Sequence, residues 1–286
     1  MRPAEPHAPA PAAGAAARPA AGAPGAGTAG GSAAGGARRD AAREPLRLIA
    51  ASLAEDPVLD VALGEALLDR VADGAPAAFR IGRPAPTLSF GRLDRILPGF
   101  AAAVETARRL GFAPTLRVGG GRAAAIHEGA LSIGIAQPAD GSSTAERFAW
   151  LAEAVLGAFA RVGVRAERGR LPDEYCPGDW SLHAGGVKLA GLSQRVKRHA
   201  TWTEGLLLVR DGARARTVLE AVHRDLALPL DPATVGALDD LVPAIAVDDV
   251  AAALRDELAA RGPIADVALD PATRARAAAL RDRHAL

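Results

Sequence analysis

What most constrains this chain is what its first 44 residues lack. Of these, 32 are Ala, Gly or Pro, and none is Val, Ile, Leu, Phe, Trp or Tyr. A segment without large apolar side chains cannot offset the conformational entropy of ordering itself, so residues 1–44 are expected to form a disordered tail. The tail has no apolar run of the kind a secretory signal needs. Its Ala, Gly and Pro content does not suit an amphipathic transit peptide either. Residues 45–286 remain, enough for one domain with a full core.

Composition removes several classes of function. A net charge of +1 with scattered charges gives no footprint for nucleic acid. No uncharged apolar run reaches the roughly 18 residues of a membrane span. The single cysteine, Cys176, forbids an internal disulfide and fits a reducing compartment, so a cytoplasmic location is expected. One Cys and six dispersed His supply no zinc spacing, and no metal site is expected. The basic residues are more telling. Of 34 Lys and Arg only two are lysine, Lys188 and Lys197. In a chain so biased towards Arg, a lysine within an apolar segment invites a chemical reason, because guanidinium cannot mimic a compact, deprotonatable ammonium.

Asp56 to Ala72 reads as a helix, with Asp56 and Pro57 at its start and Leu59, Ala62, Leu63, Ala66, Leu67 and Val71 at helical spacing. Ala78 to Ile81 and Thr87 to Phe90 read as short strands, and Phe100 to Leu110 as a second helix ended by Gly111. Thr115 to Val118, Ala130 to Ala136, Val187 to Ala190 and Trp202 to Val209 read as strands. Ser143 to Val162, Ala213 to Leu226 and Val247 to Arg261 read as helices. This order predicts an α+β fold, a mixed sheet flanked by helices.

Three constellations can carry chemistry. Arg117-Val118-Gly119-Gly120-Gly121-Arg122 places a glycine run after a strand, where backbone N–H groups can form an anion nest; a tight turn is the alternative. Neither a Walker A loop nor a dinucleotide fingerprint is present there. Gly185-Gly186-Val187-Lys188-Leu189-Ala190-Gly191-Leu192-Ser193-Gln194-Arg195 sets a lysine in an apolar strand flanked by glycines. Partial burial would lower its pKa and let it act as a base, whereas a lysine snorkelling from a strand edge is the alternative. Tyr175-Cys176-Pro177-Gly178 puts the cysteine in a turn 12 residues before Lys188. A turn cysteine beside a cation can be a nucleophile, or it can be a small buried residue.

The stretches Gly119 to Gly129 and Gly185 to Gly205 resemble two signatures of the lipoate–protein ligase A, octanoyltransferase and biotin ligase superfamily. There, one strand ends in Arg-Arg-x-Ser/Thr-Gly-Gly-Gly-Ala-Val-Tyr-His-Asp-x-Gly-Asn, and a later strand carries Gly-x-Lys-Ile-Ser/Ala-Gly-x-Ala/Ser-Gln. Gly186 to Gln194 matches the second closely, and Thr87 to Arg92 resembles an earlier strand of the family. In the first signature Arg117 matches the second Arg, Gly119 replaces Ser/Thr and Arg122 replaces the third Gly. His127 lies one place beyond the family His, and Ala130 follows Gly129 in place of Asn.

The resemblance implies an enzyme that attaches a lipoyl or octanoyl group to a specific lysine of a lipoyl carrier domain. The implied carriers are the lipoyl domains of 2-oxoacid dehydrogenase E2 subunits or the glycine cleavage H protein, with acyl carrier protein as a further donor. The implied catalytic residues are Lys188 and Cys176. The implied substrate or adenylate contacts are Arg117, Gly119, Gly120, Gly121, Arg122, His127, Gly129 and Gly191. A ligase acting through an acyl-adenylate, with ATP and Mg²⁺, is the first expectation. A Cys176-dependent transferase that needs no cofactor is the alternative, and a non-catalytic acyl- or carrier-binding paralogue is a third. Cys176 would take part only in the transferase.

Overall fold

The computed structural model describes residues 44–286. The tail expected over residues 1–44 lies, but for Glu44, outside the described residues. The elements run β1 (Leu46–Ala50), α1 (Pro57–Ala72), β2 (Ala78–Gly82), β3 (Thr87–Phe90), α2 (Phe100–Arg109) and β4 (Ala113–Leu116). Next come β5 (Ala124–Ile126), β6 (Ala130–Pro138), α3 (Thr144–Arg161), β7 (Glu167–Arg168) and β8 (Ser181–Ala184). The chain ends with β9 (Val187–Val196), β10 (Ala200–Leu208), α4 (Gly212–Asp225), α5 (Val247–Arg261), β11 (Ile264–Asp266) and α6 (Pro271–Leu280).

Eight strands form a mixed sheet in the order β11-β1-β2-β6-β10-β9-β8-β7. Within it β1 runs parallel to β2 and β11, while the other neighbours are antiparallel. Helices α3 and α5 bury Leu151, Val155, Phe159 and Leu254 with Phe79, Ile133 and Ile135. Helices α1 and α6 bury Leu63, Leu67 and Leu280 with Ala136 and Trp202. A second sheet, β4-β3-β5, packs Leu88, Phe90 and Ile126 with Val104 of α2 and Val218 and Val222 of α4. The fold is the mixed sheet flanked by helices that the sequence implies.

The helix starts follow from local chemistry. Asp56 accepts from the Leu59 N–H at 3.1 Å with Pro57 in the first turn, and Ser143 with Glu146 forms a capping box on α3. Two of the expected strands have shifted bounds that bear on the site, and β1, β5, β7, β8, β11 and α6 are elements the sequence reading did not include. The strand expected over Val187 to Ala190 runs on to Val196 and turns back at residues 197–199 into β10, making a hairpin. The strand expected over Thr115 to Val118 is Ala113–Leu116, because β4 pairs with β3 only as far as Phe90↔Leu116.

Three local features aim residues at one place. Opposite β8, the pairing shifts by one between Leu182↔Ala190 and His183↔Lys188, so Leu189 is an extra residue in β9. Such a bulge re-aims the neighbouring side chain, here Lys188. Gly91, just after β3, meets the glycine loop so closely that a Cβ there would lie 1.8 Å from the Gly121 carbonyl oxygen. The strand leading into that loop is held from outside: the Leu116 N–H donates to the His284 carbonyl at 2.9 Å, and Thr115 bridges Ala285.

Candidate active site

Lys188 is 1% exposed, though a lysine is among the residues least often buried. Its Nζ donates to the carbonyl oxygens of Tyr175 at 2.8 Å and Cys176 at 2.9 Å, and faces Glu174 Oε2 at 3.6 Å. It also lies 4.5 Å over the Tyr175 ring. Burial pushes the lysine pKa below its ordinary value, against the opposing pull of Cys176 and Glu174. The strand position of Lys188 therefore makes it a buried anchor of the 174–178 turn, not a snorkelling edge residue.

That turn is strained and tied down. Cys176 has φ +42° and Asp173 φ +49°, a region that non-glycine residues visit rarely. Glu174 accepts from Ser181 Oγ at 2.6 Å and from the Gly178 N–H at 3.1 Å. The result presents the Cys176 sulfur to two donors. Arg117 Nη1 lies 3.3 Å from Sγ and the Arg122 N–H 3.2 Å from it. Gly121, at φ +115°, must be glycine here: a Cβ would come within 2.7 Å of Sγ and 2.8 Å of Arg117 Nη1.

Arg117 is the hub of a second group. Its Nη1 donates to the Arg122 carbonyl at 3.1 Å and its Nη2 to Ser193 Oγ at 3.1 Å. Ser193 donates to Glu204 Oε1 at 2.6 Å, which also accepts from the Gly119 N–H at 3.2 Å; Trp202 Nε1 donates to Oε2 at 2.7 Å. Burial works against the Arg117 charge, but Cys176 and Glu204 more than offset it, and its pKa is raised.

A cavity of about 330 Å³ opens beside these groups, with Arg117, Cys176, Lys188 and Ser193 at its polar end. Ala124, Ala125, Leu192, Leu206, Phe148 and Trp180 give it apolar walls, the last two stacked at 5.2 Å between centroids. A few convergent polar groups on an apolar pocket of this size suit a small apolar substrate.

The structure thus brings Lys188, Cys176, Arg117, Gly120, Gly121 and Gly191 to one cavity. Gly191 gives Lys188 room, since a Cβ there would sit 3.3 Å from its Cε. Gly119 and Arg122 stand behind the lining, Arg122 reaching Asp94 at 3.3 Å through its side chain. His127 and Gly129 are elsewhere. His127 is buried in the turn between β5 and β6, where Nδ1 accepts from the Gly129 N–H at 3.1 Å and Nε2 has no partner. Burial and then Arg214 lower the His127 pKa. Sequence proximity to the loop misplaced both residues, because β5 carries the chain away from the cavity before it reaches them.

Of the N–H groups in the expected anion nest, that of Gly119 is taken by Glu204 and that of Arg122 by Cys176, while Gly120 and Gly121 line the cavity. Among the described residues no group of three or more His, Cys, Asp or Glu could hold a metal ion. From the sequence, Ser193, Glu204, Glu174 and Asp94 were given no role. Glu204 carried a signal, the only charge in β10. Asp94 carried none.

The family model of the lipoyl protein ligase A/B catalytic domain matches residues 56–259. The chain belongs to this family. It is 32% identical over 161 residues to an octanoyl-[GcvH]:protein N-octanoyltransferase of Geobacillus kaustophilus, covering 55% of this chain and 57% of that protein. It is 25% identical over 180 residues to a lipoyl-[GcvH]:protein N-lipoyltransferase of Listeria monocytogenes, covering 59% and 65%. The match spans less than two thirds of either relative's length.

Among solved structures, lipoate-protein ligase A bound with ATP superposes with a TM-score of 0.70 at 19% identity, covering 84% of this chain and 95% of that one. A putative lipoate protein ligase from T. acidophilum with bound lipoic acid gives 0.68 at 19%, with the same coverages. These likenesses establish the ligase-type fold. Among the described residues no helix is long and apolar enough to cross a membrane.

Proposed function

We propose that this protein is an enzyme of protein lipoylation, moving an octanoyl or lipoyl group between carrier-domain lysines through a thioester on Cys176. The observation that carries this reading is the setting of the sulfur. Sγ lies at the polar end of an apolar cavity, faces a guanidinium and a backbone N–H, and sits on a turn held by a buried lysine.

In the first half-reaction Sγ attacks the acyl carbonyl of the donor amide. The C–N bond breaks, and the thiol proton leaves with the donor lysine as its amine. In the second, the acceptor lysine attacks the thioester, the C–S bond breaks and the proton returns to Cys176. One amide is exchanged for another, so the overall reaction needs no ATP. Lys188, with a pKa lowered by burial, is suited to accept and return that proton. Arg117 and the Arg122 N–H, which lose an acceptor as the sulfur is acylated, become donors for the carbonyl oxygen.

The relatives named as octanoyl- and lipoyltransferases support the glycine cleavage H protein as donor, and lipoyl domains of E2 subunits as acceptors fit the same chemistry. The acyl-adenylate route, first expectation of the sequence, is the weaker one: two loop amides it would use are tied to Glu204 and Cys176.

The test is incubation with octanoylated H protein without ATP, followed by intact-mass analysis. A hydroxylamine-labile octanoyl adduct, absent from Cys176→Ala, is expected. No adduct, with full ATP-dependent acylation by Cys176→Ala, would return the protein to the ligases.

A further inference from the structure

Among the described residues five large apolar side chains stand well out from the surface. Three of them, Leu93 at 57% exposure, Ile96 at 77% and Val196 at 53%, sit on the turn after β3 and at the β9–β10 hairpin. Those two segments border one cavity of about 660 Å³. Arg92, Arg95 and Ile96 line it from the first segment and Arg195 from the second. Arg117 lines both this cavity and the one that holds Cys176, so the two adjoin.

Arginines elsewhere among the described residues divide between ion pairs, as in Arg80 with Asp60 and Arg255 with Asp266, and none, as in Arg47 and Arg165; what sets this rim apart is that three without one share a single mouth. Among the described residues Arg92, Arg95 and Arg195 have no carboxylate within ion-pair distance, whereas Arg122 and Arg283 on the same rim are paired with Asp94 and Glu65. Three uncompensated guanidiniums at one mouth, in a chain of net charge +1, make a local positive field. A small anion would account for the charge but not for an isoleucine three-quarters exposed beside it. Arginine interleaved with protruding apolar side chains is the composition of a protein interface.

We propose that this rim is the docking surface for the acidic face of an acyl carrier domain. Its carboxylates meet Arg92, Arg95 and Arg195, and Ile96 with Val196 supplies the apolar contact. The acylated arm of the docked domain then enters the adjoining cavity towards Cys176. The inference rests on the transferase reading for its biological sense, and its test separates the two.

The probes are unacylated glycine cleavage H protein, titrated against the full chain, and a small octanoyl thioester of N-acetylcysteamine, which reaches Cys176 without docking. In the double variant Arg95→Glu, Arg195→Glu the Kd for H protein is expected to rise about tenfold or more, and the salt dependence of binding to flatten. Ile96→Asn should weaken binding without changing the salt dependence. Acylation by the small thioester should proceed at the wild-type rate in both variants, which shows that they fold. Equal Kd values for wild type and the double variant overturn the proposal. So does binding of phosphatidylglycerol vesicles that the double variant loses while its affinity for H protein is kept, since the rim would then be a membrane contact. Failure of the small thioester to acylate the wild type would count against the transferase and leave the binding measurement to decide the docking surface.

Discussion

Lys188 grips Cys176 by its backbone: Nζ donates 2.9 Å to the carbonyl oxygen of the residue whose sulfur faces the cavity. The same ammonium holds the Tyr175 carbonyl, so one buried charge fixes two consecutive peptide units of a turn in which Cys176 occupies positive φ. The placement of the sulfur therefore depends in part on one buried side chain.

Replacing Lys188 should remove both. Lys188→Ala and Lys188→Arg are each expected to lower transfer at least about a hundredfold, as loss of a preorganised polar group worth a few kcal/mol does. Arginine fails because its planar fork cannot sit where a compact ammonium makes two carbonyl contacts, and because it does not deprotonate. With the neutral amine as proton acceptor, as proposed, the rate should rise with pH through a pKa below the ordinary lysine range. Single-turnover rates against pH would show that limb in the wild type and its absence in Lys188→Ala; a wild-type rate for Lys188→Arg would refute the assignment.

Two adjacent glycines of the loop, Gly120 and Gly121, should behave oppositely. A methyl at Gly121 meets Cys176 Sγ and Arg117 Nη1 at a backbone angle that disfavours any side chain, whereas a Cβ at Gly120 meets nothing within 4 Å. Gly121→Ala is expected to slow acylation of Cys176 by about tenfold or more and to lower the melting temperature, with strain of about 1–3 kcal/mol. Gly120→Ala should fold with wild-type stability, and thermal melts alongside acylation rates compare the pair.

Ser193 joins Arg117 to Glu204, and each partner is largely buried. Ser193→Ala leaves Arg117 Nη2 without that acceptor, a loss of about 1–3 kcal/mol where a buried donor goes unpaired. Glu204→Gln should be milder in stability but should release the Gly119 N–H from a charged acceptor. Denaturant midpoints of the two variants, and of both together, would reveal coupling; strict additivity would show that the network is not one unit.

Glu65 gives the fold an acid sensitivity. The His284 side chain beside it, with Lys197 and Arg283 assisting, pulls its pKa from 4.5 to about 2. The folded value is the lower one, so the stabilisation is fully present above about pH 4.5 and is lost as pH falls towards 2. Melting temperatures across that window should drop more steeply for the wild type than for Glu65→Gln; parallel curves would refute the linkage.

Lys188 and Cys176 were legible because each broke the local rule of its own segment: a lysine in an arginine-using chain, a cysteine in a Pro-Gly turn. Glu204 broke a rule in the same way, as the only charge in its strand, and could have been read by the same reasoning. Ser193 was quoted only as part of the lysine motif, and its role became visible once β9 and β10 were paired. His127 and Gly129 misled because their neighbours in sequence, not in space, were the cavity residues. In the fold, α1 and α3 were legible from caps and periodicity. The strand β1 escaped because it follows directly on the tail. Helix α6 escaped because its buried positions, Thr273, Ala277 and Leu280, are mostly small or polar.

The strand that delivers Arg117 takes its outer partner from His284 and Ala285, nearly 170 residues later in the chain. Synthesis runs from the N-terminus, so β4, the glycine loop and the cysteine turn all leave the ribosome well before the residues that clamp them. The sulfur is then translated early and set in place late. A nascent chain, or one shortened before His284, would carry Cys176 without the fixed arginine beside it, and reactivity of its thiol would report that His284 and Ala285 have docked.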